Sequence, residues 1–489
     1  MIKNLKPLQS GLILVFGGVM LSWHLFSLNI SPLPWFDEVF YASMTLSFLE
    51  GNGLVPDVVP FESNRQVFTY GPVYFLLTAA STSLLGFGIF SFRLVNFLFG
   101  IATIFVVFRM LQKQNLPEWI FVLAFAAFCL DPRYLQNIHN GRMDQVALFF
   151  SMGALYLSLY KKGLPNQPAL MALLLSLALL TSPRLFFIVL PIGFVATFEM
   201  LKERNWVQLI VFLSVPVILA SVWIAFSFGS VQEAWDYYFS SDNARKAARV
   251  SRFLGGNLQI AFFQYPLLLS TLALILISFR LLIRDRLAVL SAVFLVLFYV
   301  LIHDTGLYSS IIVVFFYLLM ALAAKYTPLK TLAYILMSLV LVVNISIFAF
   351  KSMTILAQLN ERSPENIEVF VRSNVPPGSR VAGDERYYYA FVKHNCEFQF
   401  INRKAELGER VLYHKNQYGA RFIMLGDETD PDIIKAYRET FLIYKEVPFS
   451  LERKETRFRA LLDQMNPMNN YGTYEGVLLL VGDPRDDIH

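Results

Sequence analysis

The sequence predicts a mostly α protein, a polytopic membrane helix bundle over residues 1–350 followed by a small α/β domain over residues 351–489. Three observations carry that prediction. The 489 residues are 56% hydrophobic and only 16% charged, with a mean hydropathy of +0.52, well away from the proportions of an ordinary soluble domain. Apolar runs long enough to cross a bilayer recur through the first 350 residues. The charges are skewed as well: 39 of the 77 Asp, Glu, Lys and Arg residues follow Lys351, so a water-soluble piece follows the membrane part. The net charge of +5 is small for this length, and the basic residues sit mostly at span ends, where membrane topology accounts for them, so nucleic acid is not implied. Cys129 lies in an apolar run and Cys396 in the polar tail, which gives neither a metal spacing nor a disulfide framework.

Taken in order, the apolar runs cover roughly residues 9–29, 92–111, 118–131, 144–160, 168–183, 185–201, 206–228, 258–279, 287–302, 307–324 and 331–350, about eleven spans. A further stretch, YGPVYFLLTAASTSLLGFGIF from Tyr70, is apolar but interrupted by Gly, Pro, Ser and Thr. Basic residues decide its role. If it lies along the interface without crossing, Lys3/Lys6, Arg109/Lys113, Lys161/Lys162, Lys202/Arg204, Arg280/Arg284/Arg286 and Lys325/Lys330 all fall on one side, which the positive-inside rule makes the cytoplasm. The N-terminus is then cytoplasmic and stays as an anchor, since no small-x-small cleavage pattern follows its apolar core. The same parity puts the loop from Asn29 to about Ser91, the DPRYLQNIHNGRMDQ loop, the long loop from Gly229, the HDTG turn and the whole tail outside, in a multi-pass plasma (inner) membrane protein.

The tail reads as strands in RVAGDERYYYAFV, ARFIMLGDE and YEGVLLLVGD, with helical spacing in ENIEVFVRSNV and PDIIKAYRET. It carries no G-x-G-x-x-G and no P-loop.

Chemistry concentrates in the outer loops. WFDEVFYASMTLSFLE opens with Asp37 and Glu38 in what the pattern makes the first turn of a helix. There they complement the positive end of the helix dipole, or serve chemistry at the membrane surface under a loop too long for a simple connection. Adjacent helical residues diverge by about 100°, so one acid is placed to react and the other to support it. NGRMDQ sets Arg142 and Asp144 at the outer mouth of the fourth span, as a helix-end ion pair or as site residues. In TSPRLFFIVLP, Arg184 either snorkels to the headgroups or binds a phosphate through its planar guanidinium.

The DE pair after the first span, YGPVYFLLTA (Tyr70–Ala79), SFRLVN with Arg93, the R-x-D at the fourth span and the late HDTGLYSSIIVVFFYLLMALA together resemble the GT-C glycosyltransferases. The resemblance covers roughly residues 1–350 and is nearest to bacterial proteins similar to protein O-mannosyltransferases and the lipid A aminoarabinose transferase. Gly71-Pro72-Val73-Tyr74 stands where the family often has Pro-Pro-Leu-Tyr, and Arg184 where it often has Lys, which leaves the phosphate-binding residue open.

What the resemblance implies is a polyprenyl-phosphate-sugar-dependent glycosyltransferase of the cell envelope. It would pass a hexosyl or pentosyl group to a hydroxyl of a lipid, glycan or protein acceptor. Such a reaction needs a carboxylate to take the hydroxyl proton, cations for the leaving phosphate and an apolar groove for the lipid. By match to the family's acid, Asp37 is the base, with Glu38 and Asp144 beside it as catalytic residues. Substrate binding falls to Arg184, Arg142, Arg93, Tyr70, Tyr74, His303 and Tyr308, and to Arg245 and Lys246 of NARKAARVSR, whose basic residues also include Arg249 and Arg252. That basic run is equally an amphipathic stretch on anionic headgroups. No cofactor is expected; His303, Asp304 and Glu38 are ligand types, but no paired-His metal spacing occurs, so a divalent metal is not expected to be essential. The rival readings are a polyprenyl-linked glycan ligase or polymerase, which favours one large late outer loop, and a flippase-type transporter, which favours charges or broken helices within spans.

Overall fold

The computed structural model describes residues 7–60, 66–68, 70–161, 166–228, 230–236, 265–301, 305–401, 407–427, 429–451 and 473–482. From the N-terminus, α1 (Pro7–Ser27) leads into a long loop holding α2 (Phe36–Leu49) and α3 (Pro72–Leu85). The bundle continues through α4 (Ile89–Lys113), α5 (Glu118–Cys129), α6 (Pro132–Ile138), α7 (Asp144–Tyr160), α8 (Gln167–Thr181), α9 (Phe186–Lys202) and α10 (Trp206–Ser227). After the short α11 (Val231–Trp235) come α12 (Tyr265–Leu282), α13 (Arg286–Leu301), α14 (Thr305–Tyr326) and α15 (Lys330–Ala357). Each of the eleven apolar runs therefore lies on a helix. Residues 258–264 of the eighth run lie outside the described residues.

Among the described helices, those over Ile89–Lys113, Pro183–Lys202, Trp206–Ser227 and Lys330–Ala357 are long and apolar enough to cross a membrane. Their packing shows which solvent they face. Val207, Ile210, Val217, Val222 and Phe226 of α10 stand more than half exposed, a surface that water would not tolerate and hydrocarbon would. Pro72 opens α3, where its missing N–H costs nothing. Its 14 residues reach only about 21 Å, short of the ~30 Å hydrocarbon thickness.

One end of the bundle is stitched by polar groups at the helix ends, Lys325 and Arg286 of the basic clusters among them. Lys325 Nζ donates to Gln114 O at 2.7 Å, Gln114 Nε2 to the Tyr160 hydroxyl at 2.5 Å, Tyr326 to Asp285 at 3.0 Å, and Arg286 to Glu199 at 2.5 Å. The termini of α4, α7, α9, α13 and α14 thus meet where the basic clusters lie. Buried apolar residues of α4, α5, α7, α8, α9 and α12–α15 form one continuous core around α14, whose residues from Ile311 to Ala324 are buried.

The tail builds a five-stranded sheet from β1 (Arg380–Gly383), β2 (Glu397–Phe400), β3 (Phe422–Gly426), β4 (Leu442–Phe449) and β5 (Gly476–Gly482), in the order β2-β1-β3-β5-β4. β2, β1 and β3 are parallel; β5 runs antiparallel to both β3 and β4. Helices α16 (Pro364–Asn374), α17 (Tyr388–Lys393), α18 (Leu407–Tyr413) and α19 (Pro431–Thr440) flank it. The expected strand in RVAGDERYYYAFV is corrected: only Arg380–Gly383 is a strand, and the three tyrosines enter a 3₁₀ turn and α17. Tyr387, Tyr388 and Tyr389 are all buried, which a half-exposed strand could not arrange. A second apolar cluster joins α2, α3 and the first loop to one side of the sheet, through Val39, Tyr41, Tyr388, Phe398 and Phe400 among others. The backbone N–H of Phe400 also donates to Val58 O at 2.9 Å. Loop and tail therefore share a core.

Candidate functional site

Helix α2 begins after Trp35, which offers no side-chain cap, and Asp37 and Glu38 fill its first turn. The expected divergence of the two acids is large in effect. The Asp37 side chain keeps 26% of its exposure and its Oδ2 lies 3.2 Å from Arg142. Glu38 is fully buried and grips Arg93 of α4 through bonds of 2.9–3.1 Å from Nε and Nη2, while Arg93 Nη1 donates to Leu28 O at 2.7 Å. Gly141 N and the Tyr389 hydroxyl also donate to Glu38, at 3.3 and 3.4 Å. Burial pushes the Glu38 carboxyl upward, and Arg93 followed by the Gly141 and Tyr389 hydrogen bonds opposes that push.

The Arg142 loop is held from below. Asn96 Nδ2 of α4 donates to the carbonyls of Asn140 and Arg142, and Gly141 has no room for a side chain, because a Cβ there would meet Phe92 and Glu38. Pinned this way, Arg142 reaches Asp37 on one side and Asp144 on the other, the latter at 2.9 Å, with its guanidinium 5.3 Å from the Trp35 ring. Burial works against its charge, but Asp144, Tyr41 and Asp37 outweigh it and hold the guanidinium above its ordinary value.

One turn along α2 from Asp37, Tyr41 stands edge-on to Tyr70 at 5.4 Å and to Tyr74 at 6.3 Å. Arg184 sits in the 3₁₀ turn Pro183–Leu185, partly exposed, with its guanidinium 5.4 Å from the Tyr70 ring. The approach of this segment to α8 depends on Gly71, where a Cβ would collide with the Leu180 carbonyl. A connected wall results, from Asp144 through Arg142, Asp37, Tyr41 and Tyr70 to Arg184.

The structure thus gathers Asp37, Glu38, Arg93, Arg142, Asp144, Tyr70, Tyr74 and Arg184. His303, Arg245, Lys246, Arg249, Arg252 and the side chain of Tyr308 lie outside the described residues. Among the described residues, no three His, Cys, Asp or Glu side chains converge as a metal-binding group. Sequence reasoning missed Trp35, Tyr41 and Tyr389. Tyr41 had a signal, four residues from Asp37 on a helix; Tyr389, 351 residues from Glu38, had none. Asp131, in the same loop as Arg142, caps α6 through the Arg133 and Tyr134 N–H groups and accepts from Tyr317 at 3.0 Å, a structural post.

No family model and no curated protein matches the chain. Solved structures do. ArnT from Cupriavidus metallidurans bound to undecaprenyl phosphate aligns over 96% of this chain and 98% of its own, with a TM-score of 0.61 and 15% identity. The apo form of the same protein aligns over the same shares with a TM-score of 0.61 and 14% identity. Across nearly its whole length this chain has a fold similar to that of ArnT.

Proposed function

We propose that this protein is an integral membrane glycosyltransferase that moves a sugar from a polyprenyl phosphate carrier to an acceptor hydroxyl on the extracytoplasmic face. The observation that supports it most is the unequal acid pair. Asp37 is reachable and held by one arginine, and Glu38 is sealed beneath it by another, within a fold shared with a protein crystallised on undecaprenyl phosphate. On this reading residues 1–350 form the catalytic membrane domain, with the N-terminus cytoplasmic, and residues 351–489 an extracytoplasmic domain packed over the first loop.

The chemistry follows from the geometry. An acceptor oxygen attacks the anomeric carbon as the bond from that carbon to the phosphate oxygen breaks, and the carrier phosphate leaves with the electron pair. Asp37 takes the hydroxyl proton. Arg142 serves two carboxylates at once, so protonation of Asp37 weakens one of its attachments just as negative charge builds on the leaving phosphate. Arg184, at the turn between two apolar helices, is the cation for a phosphate held at the membrane surface. Tyr70, Tyr74 and Tyr41 offer ring faces and edges to the sugar. Glu38 and Arg93 act from behind, fixing α2 against α4.

The test is outer-face transfer of radiolabelled sugar from a panel of polyprenyl phosphate sugars in vesicles carrying the full chain. Label should move from the carrier into a lipid, glycan or protein fraction. Carrier that crosses the bilayer with its sugar still attached would instead support a flippase. Transfer of whole preassembled glycans would support a ligase or polymerase.

A further inference from the structure

A polar cavity of about 990 Å³ opens where the far end of α2 and residues 50–58 meet edge strand β2 and the end of α18. It is separate from the Asp37 wall: thirteen positions along α2 divide Asp37 from Glu50 at its rim, about 20 Å at the rise of a helix. Tyr413 contributes aromatic surface to it, the largely buried Tyr388 and Tyr418 border it, and Gln399 of β2 lies in its wall. Gln399 is only 4% exposed, its Nε2 donates to the Tyr413 hydroxyl at 3.5 Å, and its Oε1 has no hydrogen-bond partner.

The charges at the rim narrow the choice of donor. The cations Arg380 and Lys393 are already engaged, by Glu397 at 3.1 Å and by Glu368 at 2.6 Å. Glu50 and Asp57 face the cavity together, so a phosphate or another anion is disfavoured. An apolar ligand would take water from the Glu50 and Asp57 carboxylates and give nothing in return. A hydroxyl-rich sugar chain suits this lining: its hydroxyls donate to the Glu50 and Asp57 carboxylates, and a pyranose face lies on the partly exposed Tyr413 ring.

We propose that this cavity is an accessory saccharide site that holds the distal sugars of an oligosaccharide acceptor while its reacting end lies near Asp37. The proposal rests on the transferase reading and narrows its acceptor to an extended glycan. The two sites also touch mechanically, because Tyr388 lines the cavity and the next residue, Tyr389, donates to Glu38.

Saturation-transfer NMR on the full chain in detergent, with oligosaccharides released by mild acid from the source cell's envelope as probe, tests the site. Wild type should transfer magnetisation to the sugar protons. Tyr413→Ala, at a partly exposed position, should weaken binding about fivefold, as loss of one aromatic contact implies. Asp57→Asn should weaken it as well, and neither variant should change turnover with a monosaccharide acceptor. No signal with wild type, or equal binding by both variants, overturns the proposal. Oligosaccharide binding without any transfer from polyprenyl donors would keep the cavity and reject the transferase reading; transfer without oligosaccharide binding would do the reverse.

Discussion

Adjacent positions on a helix point about 100° apart, and in Asp37 and Glu38 that rotation separates two identical functional groups into opposite surroundings. Glu38 lies in the protein interior against Arg93, and both side chains are fully buried. Removing one partner of such a pair leaves an uncompensated charge out of water, at a cost of about 3–5 kcal/mol. Glu38→Gln should therefore lower the unfolding temperature and the yield of folded protein in the membrane, and an unchanged melting curve would contradict the buried pairing. Asp57 sits nearer to solvent. Partial burial, with the Glu50 carboxylate beside it, raises its carboxyl to about 6, and a hydrogen bond to Ser47 only partly counters this. Unfolded, such a group titrates at roughly 3.9, so the folded chain holds the proton more tightly and the ionised group destabilises it. The penalty is present above pH 6 and fades as the pH falls toward 4. Thermal unfolding at pH 4.5 and 7 should show wild type losing more stability toward pH 7 than Asp57→Asn does; identical slopes would contradict the assignment.

At the scale of elements, two glycines argue for how the site is assembled. Gly141 lies against Phe92 and Glu38 with no space for a methyl group, whereas Gly193 inside α9 has nothing within 4 Å of where its Cβ would be. Gly141→Ala should displace the Arg142 loop and depress transfer while the bundle still folds. Gly193→Ala should be silent in transfer and stabilise by about 0.5–1 kcal/mol through helix propensity. Activity assays normalised to folded protein distinguish the two. The bundle helices were legible because each is a sustained apolar run, and α7 occupies the expected residues 144–160. Two helices of the tail were legible from their amphipathic spacing, α16 and α19, which lie on ENIEVFVRSNV and PDIIKAYRET, whereas α17 lies in the stretch read as a strand and α18 gave no pattern. Strands β2 and β4 were not. β2 is four residues long, too short to establish a period. β4 is a mostly exposed edge carrying Lys445, Glu446 and Pro448, the composition that keeps edges from pairing with other chains and also hides them from pattern reading.

For the whole molecule, the informative contacts span long distances in sequence. Arg93 meets Glu38 across 55 positions and Tyr389 meets it across 351; no local pattern announces either. The sequence could nominate eight described residues of one site, since acids, arginines and tyrosines in polar loops are conspicuous in an apolar chain, but it could not say which acid would be sealed and which left open. Topology is testable at this scale. With Cys129 and Cys396 replaced by Ser, a cysteine at exposed Glu409 should react with an impermeant thiol reagent in intact spheroplasts, and one at exposed Lys161 should not; the reverse pattern would place the tail inside. The most direct measurement of the central claim is sugar transfer by Asp37→Asn, which keeps the shape of the side chain that Arg142 holds at 3.2 Å and removes its basicity. The account predicts a loss of about 10²- to 10⁴-fold in rate, with folded yield and polyprenyl phosphate binding close to wild type. Full transfer activity in Asp37→Asn would contradict it.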